Sequence, residues 1–435
     1  VPYKGGVYTR LLLYKKGILF FNSFPFTSLY IVHSILISCT TFRCKNNKHK
    51  MKNETLKNAA KQYGEKDLSF IDWQAHDFSM RGMGGIEAAV TSAAGHLLSF
   101  TGSDTIPAID FFEEYYNANS DAELIAGSVA ATEHSVMCMG TMEDEIQTFS
   151  NLLDLYPSGI LSVVSDTWDL WKVCQKYLPT LKDKVLARDG KLVIRPDSGD
   201  PVDIICGTVR VVNELNDNKG HTVIYKGKYY EDMEPSHPKY GCDHQLTTDI
   251  RPQEKGVIEL LWDVFGGTVN EQGYKVLDSH IGAIYGDSIT LERAEQICKR
   301  LKAKGFASTN IVFGVGSYTY QYNTRDTFGF AVKATYGELV DWDKTELVAH
   351  GPGVSKWDMA YKPREIFKDP ITDDGTKKSL KGLLMVNING DTGKLNVWDQ
   401  CSWEEEGMGE LETVFEDGKL IREQTLDEIR KLIKL

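Results

Sequence analysis

The chain has 435 residues, 42% of them hydrophobic and 25% charged, which supplies a large core and matches an ordinary soluble globular protein. A formal net charge of −12 argues against a protein that grips nucleic acid through its phosphates. The cysteines are scattered, with no Cys-x-x-Cys and no zinc spacing, so a disulfide framework and a zinc module are set aside and reduced thiols in a cytoplasmic compartment are expected.

Residues 1–50 differ from the rest. Between Lys16 and Arg43 there is no Lys, Arg, Asp or Glu, and Ile18–Phe21 and Leu29–Val32 are apolar runs. A signal sequence or membrane span is one reading. Asn22, Ser23, Pro25, Thr27, Ser28, His33, Ser34 and Ser38 dilute it for a span. The preferred expectation is an atypical, non-native or poorly ordered segment at 1–50, ahead of one domain at 51–435 that begins at Met51.

From Glu54 to Tyr63 apolar residues fall at helical spacing. Leu68–Trp73 reads as a strand emptying into Gln74-Ala75-His76-Asp77-Phe78-Ser79-Met80-Arg81-Gly82, and an Ala-rich helix follows over Gly85–Leu98. His76 and Asp77 suit local turn bonding, whereas Phe78 beside Arg81 suits a flat ring next to an anion. Asp104 precedes a helix over Pro107–Tyr116 and is either its cap or a site residue. Leu124–Val129 is strand-like and leads to His134, which on its own reads more readily as a structural histidine. Glu145–Leu155 is an amphipathic helix, Ile160–Val164 a strand ending in Ser165-Asp166, and Thr167–Tyr177 a helix.

Leu192-Val193-Ile194-Arg195-Pro196-Asp197-Ser198-Gly199-Asp200-Pro201 is the richest stretch. An apolar run turns abruptly polar, Pro196 ends the ladder, and Asp200 with Pro201 starts a helix expected to reach Leu215. Arg195 and Asp197 alternate, so both can face one mouth; the plain alternative is an ion pair tying off a strand. Further on come a hairpin turning at Lys226-Gly227-Lys228, a helix over Glu254–Phe265, and a strand over His280–Tyr285 ending in Gly286-Asp287. A helix over Leu291–Ala303, a strand ending in Gly314-Val315-Gly316-Ser317, a strand segment within Phe328–Val340 and a closing helix over Thr425–Leu435 complete the series. Alternating strands and helices predict an α/β fold with a parallel sheet, and polar residues gathered after successive strands place a site at the carboxyl face of a β/α barrel.

Neither a P-loop nor a Gly-x-Gly-x-x-Gly sequence is present, so those nucleotide sites are not expected. Glycine turns at Gly286 and Gly314–Gly316 suit a terminal phosphate, and Asp197 and Asp287 suit ribose hydroxyls. Arg81, Arg195, Arg325 and lysines near Lys368 and Lys377 suit further phosphate charge. The ligand expected from these residues is a phosphorylated sugar with a second anionic group.

The segments "HDFSMRG", "FTGSDT", Thr132-Glu133-His134-Ser135, Ser162–Asp166, "IRPDSGDP", Tyr285-Gly286-Asp287, Thr324-Arg325-Asp326 and Phe367-Lys368-Asp369-Pro370 occur in an order that resembles the nicotinamide phosphoribosyltransferase family of type II phosphoribosyltransferases. The resemblance runs from about Met51 to the C-terminus. It implies an irregular parallel β/α barrel with a C-terminal mixed β/α extension. It also implies transfer of phosphoribose from 5-phosphoribosyl-1-pyrophosphate to nicotinamide, with Mg²⁺ accompanying the pyrophosphate, ATP as coupling substrate, and a cytoplasmic homodimer.

By the same resemblance Phe78 stacks on the pyridine ring and Asp104 reads the carboxamide. Arg195 lies near amide and pyrophosphate. Arg81 and His134 contact pyrophosphate, and His134 is the histidine phosphorylated from ATP. Asp197 and Asp287 hold the ribose, Gly286, Gly316 and Arg325 hold the 5′-phosphate, and Lys368 and Lys377 support the phosphate entrance. His134, Asp197 and Arg195 are the candidate catalytic residues, and no metal ligand is assigned. Two departures are visible. Ser317 stands where the family has its last phosphate-binding glycine, and the family's N-terminal domain, with an Asp-Ser-Tyr-Lys motif, has no counterpart in residues 1–50. The resemblance therefore implies a barrel that binds 5-phosphoribosyl-1-pyrophosphate and turns over nicotinamide poorly. The alternatives are a nicotinate phosphoribosyltransferase and an inactive remnant that binds phosphoribosyl ligands.

Overall fold

The computed structural model describes residues 10–14, 53–64, 68–212, 215, 222–232, 244–286, 288–322, 327, 333–349, 355–373, 379–390 and 392–433. Its centre is a seven-stranded parallel sheet of β1 (Ala75–Asp77), β2 (Gly102–Ser103), β3 (Ala130–Ala131), β4 (Ser158–Val164), β5 (Asp189–Arg195), β6 (Ile281–Tyr285) and β7 (Ile311–Val315). The spatial order is β2-β1-β7-β6-β5-β4-β3, with every neighbouring pair parallel. The strands are short apolar runs because helices cover the outer face and side chains fill the inner one. Leu161, Val163, Leu192, Ile194, Ile281, Ala283, Ile311 and Phe313 are all buried in the common core with Ile258, Leu261, Ile297 and Leu301 of the outer helices. Burial of each large side chain of this kind contributes about 1.5–3 kcal/mol.

The two edges of the sheet meet through one segment. Gly127 bridges to Gly102 on β2, its N–H donating to the Thr101 carbonyl at 3.0 Å and its carbonyl accepting from Ser103 at 3.1 Å. A few residues later Ala130 and Ala131 pair with Leu161 and Ser162 of β4. The run from Gly127 to Ala131 thus closes the sheet into a barrel, with a kink where a longer strand would lie. The register aligns Val315 with Asp77, Tyr285 with Phe313, and Val164 with Arg195, so the strand ends share one rim.

Several expected elements differ. Ser69–Trp73 is a short 3₁₀ helix rather than a strand, with only Ile71 of it buried. Pairing starts where the Gln74 carbonyl accepts from Phe313 at 2.9 Å and the Gln74 side chain donates to the Ser308 and Ile311 carbonyls. The helix at Pro201 stops at Cys206, because Gly207 takes φ +79° against the backbone of Glu254. Gly256, also at φ +79° and packed on Gly207, divides the expected Glu254–Phe265 helix into Pro252–Lys255 and Val257–Phe265. The helix expected to end at Tyr177 continues through a π turn at Val173–Tyr177 into Leu178–Leu186. Pro179, which has no N–H to donate, sits just after that turn. Leu124–Val129 makes no strand; β3 follows it. Of Phe328–Val340, Tyr336–Val340 is a strand and 328–332 lie outside the described residues.

The hairpin forms as expected between Val223–Tyr225 and Lys228–Asp232, with Lys226 and Gly227 both at positive φ, as a type I′ turn requires. Beyond the barrel, the described strands pair antiparallel: Tyr336–Val340 with Tyr361–Glu365, Leu383–Ile388 with Leu395–Cys401, and Leu411–Glu416 with Lys419–Leu420. Arg10–Tyr14 pairs antiparallel with Leu411–Glu416; the remainder of residues 1–50 lies outside the described residues.

Candidate active site

The end of β5 is built as its sequence indicates. Asp200 caps the Pro201–Cys206 helix, its carboxylate accepting from the N–H groups of Val202 at 2.9 Å and Asp203 at 3.1 Å. Gly199 sits at φ +85°, where a Cβ would lie 2.8 Å from the Thr372 carbonyl oxygen. This tight turn leaves Arg195 and Asp197 at the mouth. Arg195 is buried, its Nη2 donating to the Thr132 carbonyl, and its Cζ lies 5.9 Å from the Phe78 ring centroid. The plain Arg195–Asp197 ion pair is not what this geometry shows: Arg195 turns to Thr132 and Phe78.

At the end of β1 the two polar residues have different uses. Asp77 is buried and structural, accepting from Ser103, Thr105, Tyr320 and the Ser79 N–H. His76 stacks against Phe78, with centroids 4.5 Å apart and planes at 32°, and its Nε2 is 2.8 Å from Asp104 Oδ1. Ser128 Oγ donates to the same oxygen at 2.6 Å. Asp104 is therefore no cap; the helix at Pro107 has Ile106 in that position and no side-chain cap. Partial burial pushes the Asp104 carboxyl up, but bonds from His76 and Ser128 with the charges of His76 and Arg195 hold it below the ordinary carboxylate value.

His134 opens the helix His134–Met139 after β3. Its Nε2 faces Asp197 Oδ2 at 3.6 Å and Asp166 Oδ1 at 4.0 Å, and its Nδ1 is 3.3 Å from Thr167 Oγ1. Asp166, fully buried after β4, accepts through Oδ2 from the Asp197 N–H at 2.9 Å and from Ser198 Oγ. Gly286 completes this side. A Cβ there would lie 2.9 Å from Asp197 Oδ1, and its N–H donates to the Pro196 carbonyl at 3.0 Å. Buried polar atoms are nearly always paired. Arg195 Nε, His134 Nε2 and Asp166 Oδ1 are buried without a hydrogen-bond partner among the described residues.

The structure thus brings Phe78, Asp104, His134, Arg195, Asp197 and Gly286 together. Arg81 stands at the rim, half-exposed, 3.5 Å from Glu133, an ion pair loose enough to yield to another anion. Gly316 and Ser317 follow β7 at the start of the Ser317–Gln321 helix, next to Phe78 through the bond from its N–H to the Val315 carbonyl at 2.9 Å. Lys368 lies on a segment strapped over the ends of β3 and β4. There Cys138 Sγ donates to the Phe367 carbonyl at 2.7 Å, and Asp369 and Ile371 donate to the carbonyls of Thr167 and Trp168. Asp287, Arg325 and Lys377 lie outside the described residues.

Three supports of this site were not among the expected residues: Ser128 on Asp104, Glu133 on Arg81, and Thr372 on Ser198. Asp166 stood among the polar residues expected after the strands, without its part as a buried acceptor. A shallow hollow lined by Asn53, Asp72, Phe100 and Thr101 lies at the opposite end of the barrel, ahead of β1 and β2, and holds none of the predicted site residues.

The chain is similar to known proteins over most of its length. The model of the nicotinate phosphoribosyltransferase (NAPRTase) family matches residues 73–419. The chain is 48% identical over 365 residues to a nicotinamide phosphoribosyltransferase of Acinetobacter baylyi, covering 82% of this chain and 60% of that protein. It is 38% identical over 319 residues to a nicotinamide phosphoribosyltransferase of Mycoplasma pneumoniae, covering 73% of this chain and 54% of that protein. One from Xanthomonas campestris is 29% identical over 367 residues, covering 83% of this chain and 62% of that protein. The matched region spans little more than half the length of these relatives.

Proposed function

Because the chain belongs to the nicotinate phosphoribosyltransferase family, we propose that its barrel mouth takes 5-phosphoribosyl-1-pyrophosphate and nicotinamide and forms nicotinamide mononucleotide and pyrophosphate. The observation that carries this reading is the convergence of Phe78, Asp104, His134, Arg195, Asp197 and Gly286 on one rim of a parallel barrel. In the reaction the pyridine nitrogen bonds to the anomeric carbon while the bond from that carbon to the pyrophosphate oxygen breaks. The sugar passes through an oxocarbenium-like state, so the work is electrostatic.

In this reading Phe78 stacks on one face of the pyridine ring. Asp104 accepts from the carboxamide –NH₂ and repels a carboxylate, which favours nicotinamide over nicotinate. Arg81 and Arg195 stabilise the departing pyrophosphate, and Asp197, with Asp287, accepts from the ribose hydroxyls. Gly286, Gly316 and Ser317, with Arg325, hold the 5′-phosphate; Lys368 and Lys377 guard its entrance. Asp197, a hard oxygen donor at the mouth, suits Mg²⁺ carried in on pyrophosphate. Such an ion is held mainly by substrate phosphates and water rather than by a protein cage. Mg²⁺, when bound, neutralises phosphate charge. ATP is the coupling substrate: the γ-phosphoryl group passes to His134 and ADP departs, with Asp166 and Asp197 beside the imidazole. Within the proposal the enzyme works in the cytoplasm as a homodimer. Among the described residues no helix is long and apolar enough to cross a membrane.

The test is to incubate the full chain with nicotinamide, 5-phosphoribosyl-1-pyrophosphate and Mg²⁺, with and without ATP, and to follow products by mass spectrometry. Nicotinamide mononucleotide and pyrophosphate in equal amounts are expected. No product, or product from nicotinate in preference, overturns the reading.

A further inference from the structure

The C-terminal extension reaches into the site at one residue that neither the sequence motifs nor the proposed reaction assigns. Thr372 Oγ1 is 2.5 Å from Ser198 Oγ, across 174 positions of sequence, and Ser198 Oγ is 2.5 Å from Asp166 Oδ2. Ser198 is fully buried and so is Asp166. A hydroxyl has one proton to give. Ser198 gives its proton to Asp166, so the proton in the other contact comes from Thr372. The chain of donors runs Thr372 to Ser198 to Asp166. The second acceptor bond on Asp166 Oδ2 comes from the Asp197 N–H at 2.9 Å, which leaves Oδ1 facing His134 Nε2 at 4.0 Å with no hydrogen bond of its own.

We propose that Thr372 is a positioning residue: through Ser198 it fixes the rotation of the Asp166 carboxylate, and thereby the partner that His134 meets across the mouth. Hydroxyls in series polarise one another, so the Ser198 bond to Asp166 is stronger while Thr372 donates to it. The turn is made for this contact. Gly199 leaves room for the Thr372 carbonyl at a position where a Cβ would lie 2.8 Å away. Neighbouring bonds from Asp369 to Thr167 at 3.2 Å and Ile371 to Trp168 at 2.9 Å hold the strap in register over the end of β4. The groups around the imidazole are Asp166 from β4, Asp197 from β5 and Thr167. Glu133, paired with Arg81, precedes it, and Thr132, whose carbonyl holds Arg195, lies two residues back.

The proposal rests on the functional reading only for its kinetic consequence, and the experiment separates the two. Thr372→Val keeps the shape and removes the donor; Thr372→Ser keeps the donor. In the ligand-free full chain, the side-chain ¹⁵N resonances of His134 are assigned by their loss in His134→Gln. They are expected to move in Thr372→Val and to return in Thr372→Ser, while those of His280, before β6 at the far end of the barrel, stay in place. In turnover, Thr372→Val is expected to lower kcat roughly tenfold, the size of one lost hydrogen bond, with KM for 5-phosphoribosyl-1-pyrophosphate little changed. Should Thr372→Val fail to fold, Thr372→Ala is read in its place. His134 resonances unmoved by loss of the donor, or moved equally by Thr372→Ser, overturn the positioning role. A wild-type chain that shows no turnover while its His134 resonances respond as stated overturns the functional reading and leaves the positioning role standing.

Discussion

At the scale of single residues, the proposed choice of substrate rests on Asp104. Its two described hydrogen bonds, from His76 and Ser128, both fall on Oδ1, which turns the carboxylate rather than consuming it. The same bonds hold its carboxyl below the ordinary value, so it is ionised at neutral pH. Asp104→Asn removes the charge and keeps the shape. Nicotinamide binding is expected to weaken by roughly 1.5–3 kcal/mol, the worth of a hydrogen bond to a charged acceptor, and preference over nicotinate to shrink. Calorimetric titration of both ligands checks this; unchanged selectivity removes Asp104 from the site. The residues gathered at the mouth were legible because a carboxylate, a guanidinium or an aromatic ring after a buried strand stands out against an apolar run. Their supports were not. Ser128 and Thr372 are ordinary loop residues in sequence, and only the closed barrel brings them to Asp104 and Ser198.

At the scale of elements, the helix Glu145–Leu155 carries an instability that the pH exposes. Glu145 begins it and is 1% exposed, with Oε1 unpartnered among the described residues. Burial pushes its carboxyl up to about 8, against smaller opposing help from Lys172 and Tyr177. Between the ordinary 4.5 and about 8 the folded chain keeps the proton and the unfolded chain gives it up. Stability therefore falls as pH climbs through that window and levels off above it. Glu145→Gln removes the titration. In urea unfolding it is expected to match wild type near pH 4.5 and to exceed it at pH 8 by roughly a few kcal/mol. Equal stability of the two chains at pH 8 contradicts this account of Glu145. Helix existence was legible here and at Leu291–Ala303, where apolar spacing and a cap agree. Helix ends were less so. Gly207 and Gly256 stop helices through contact with one another, a long-range packing event that local propensity does not carry.

At the scale of the molecule, the parallel barrel was legible from alternation, since buried parallel strands leave continuous apolar runs that few other folds need. The closure was not. In place of the strand expected over Leu124–Val129, a single bridge at Gly127 and the two residues of β3 join the edges and set His134 opposite Asp166 and Asp197. Nor was the strap from Phe367 to Thr372 legible, because its bonds to the barrel are mostly backbone carbonyls and hydroxyls that any sequence offers.

Calorimetric titration of 5-phosphoribosyl-1-pyrophosphate with Mg²⁺ into the full chain tests most directly whether this rim binds a phosphoribosyl pyrophosphate. One site per chain is predicted, with affinity reduced about tenfold or more in Arg81→Ala, whose exposed side chain is removed without disturbing the core. An absence of binding heat, or equal affinity in Arg81→Ala, would contradict it.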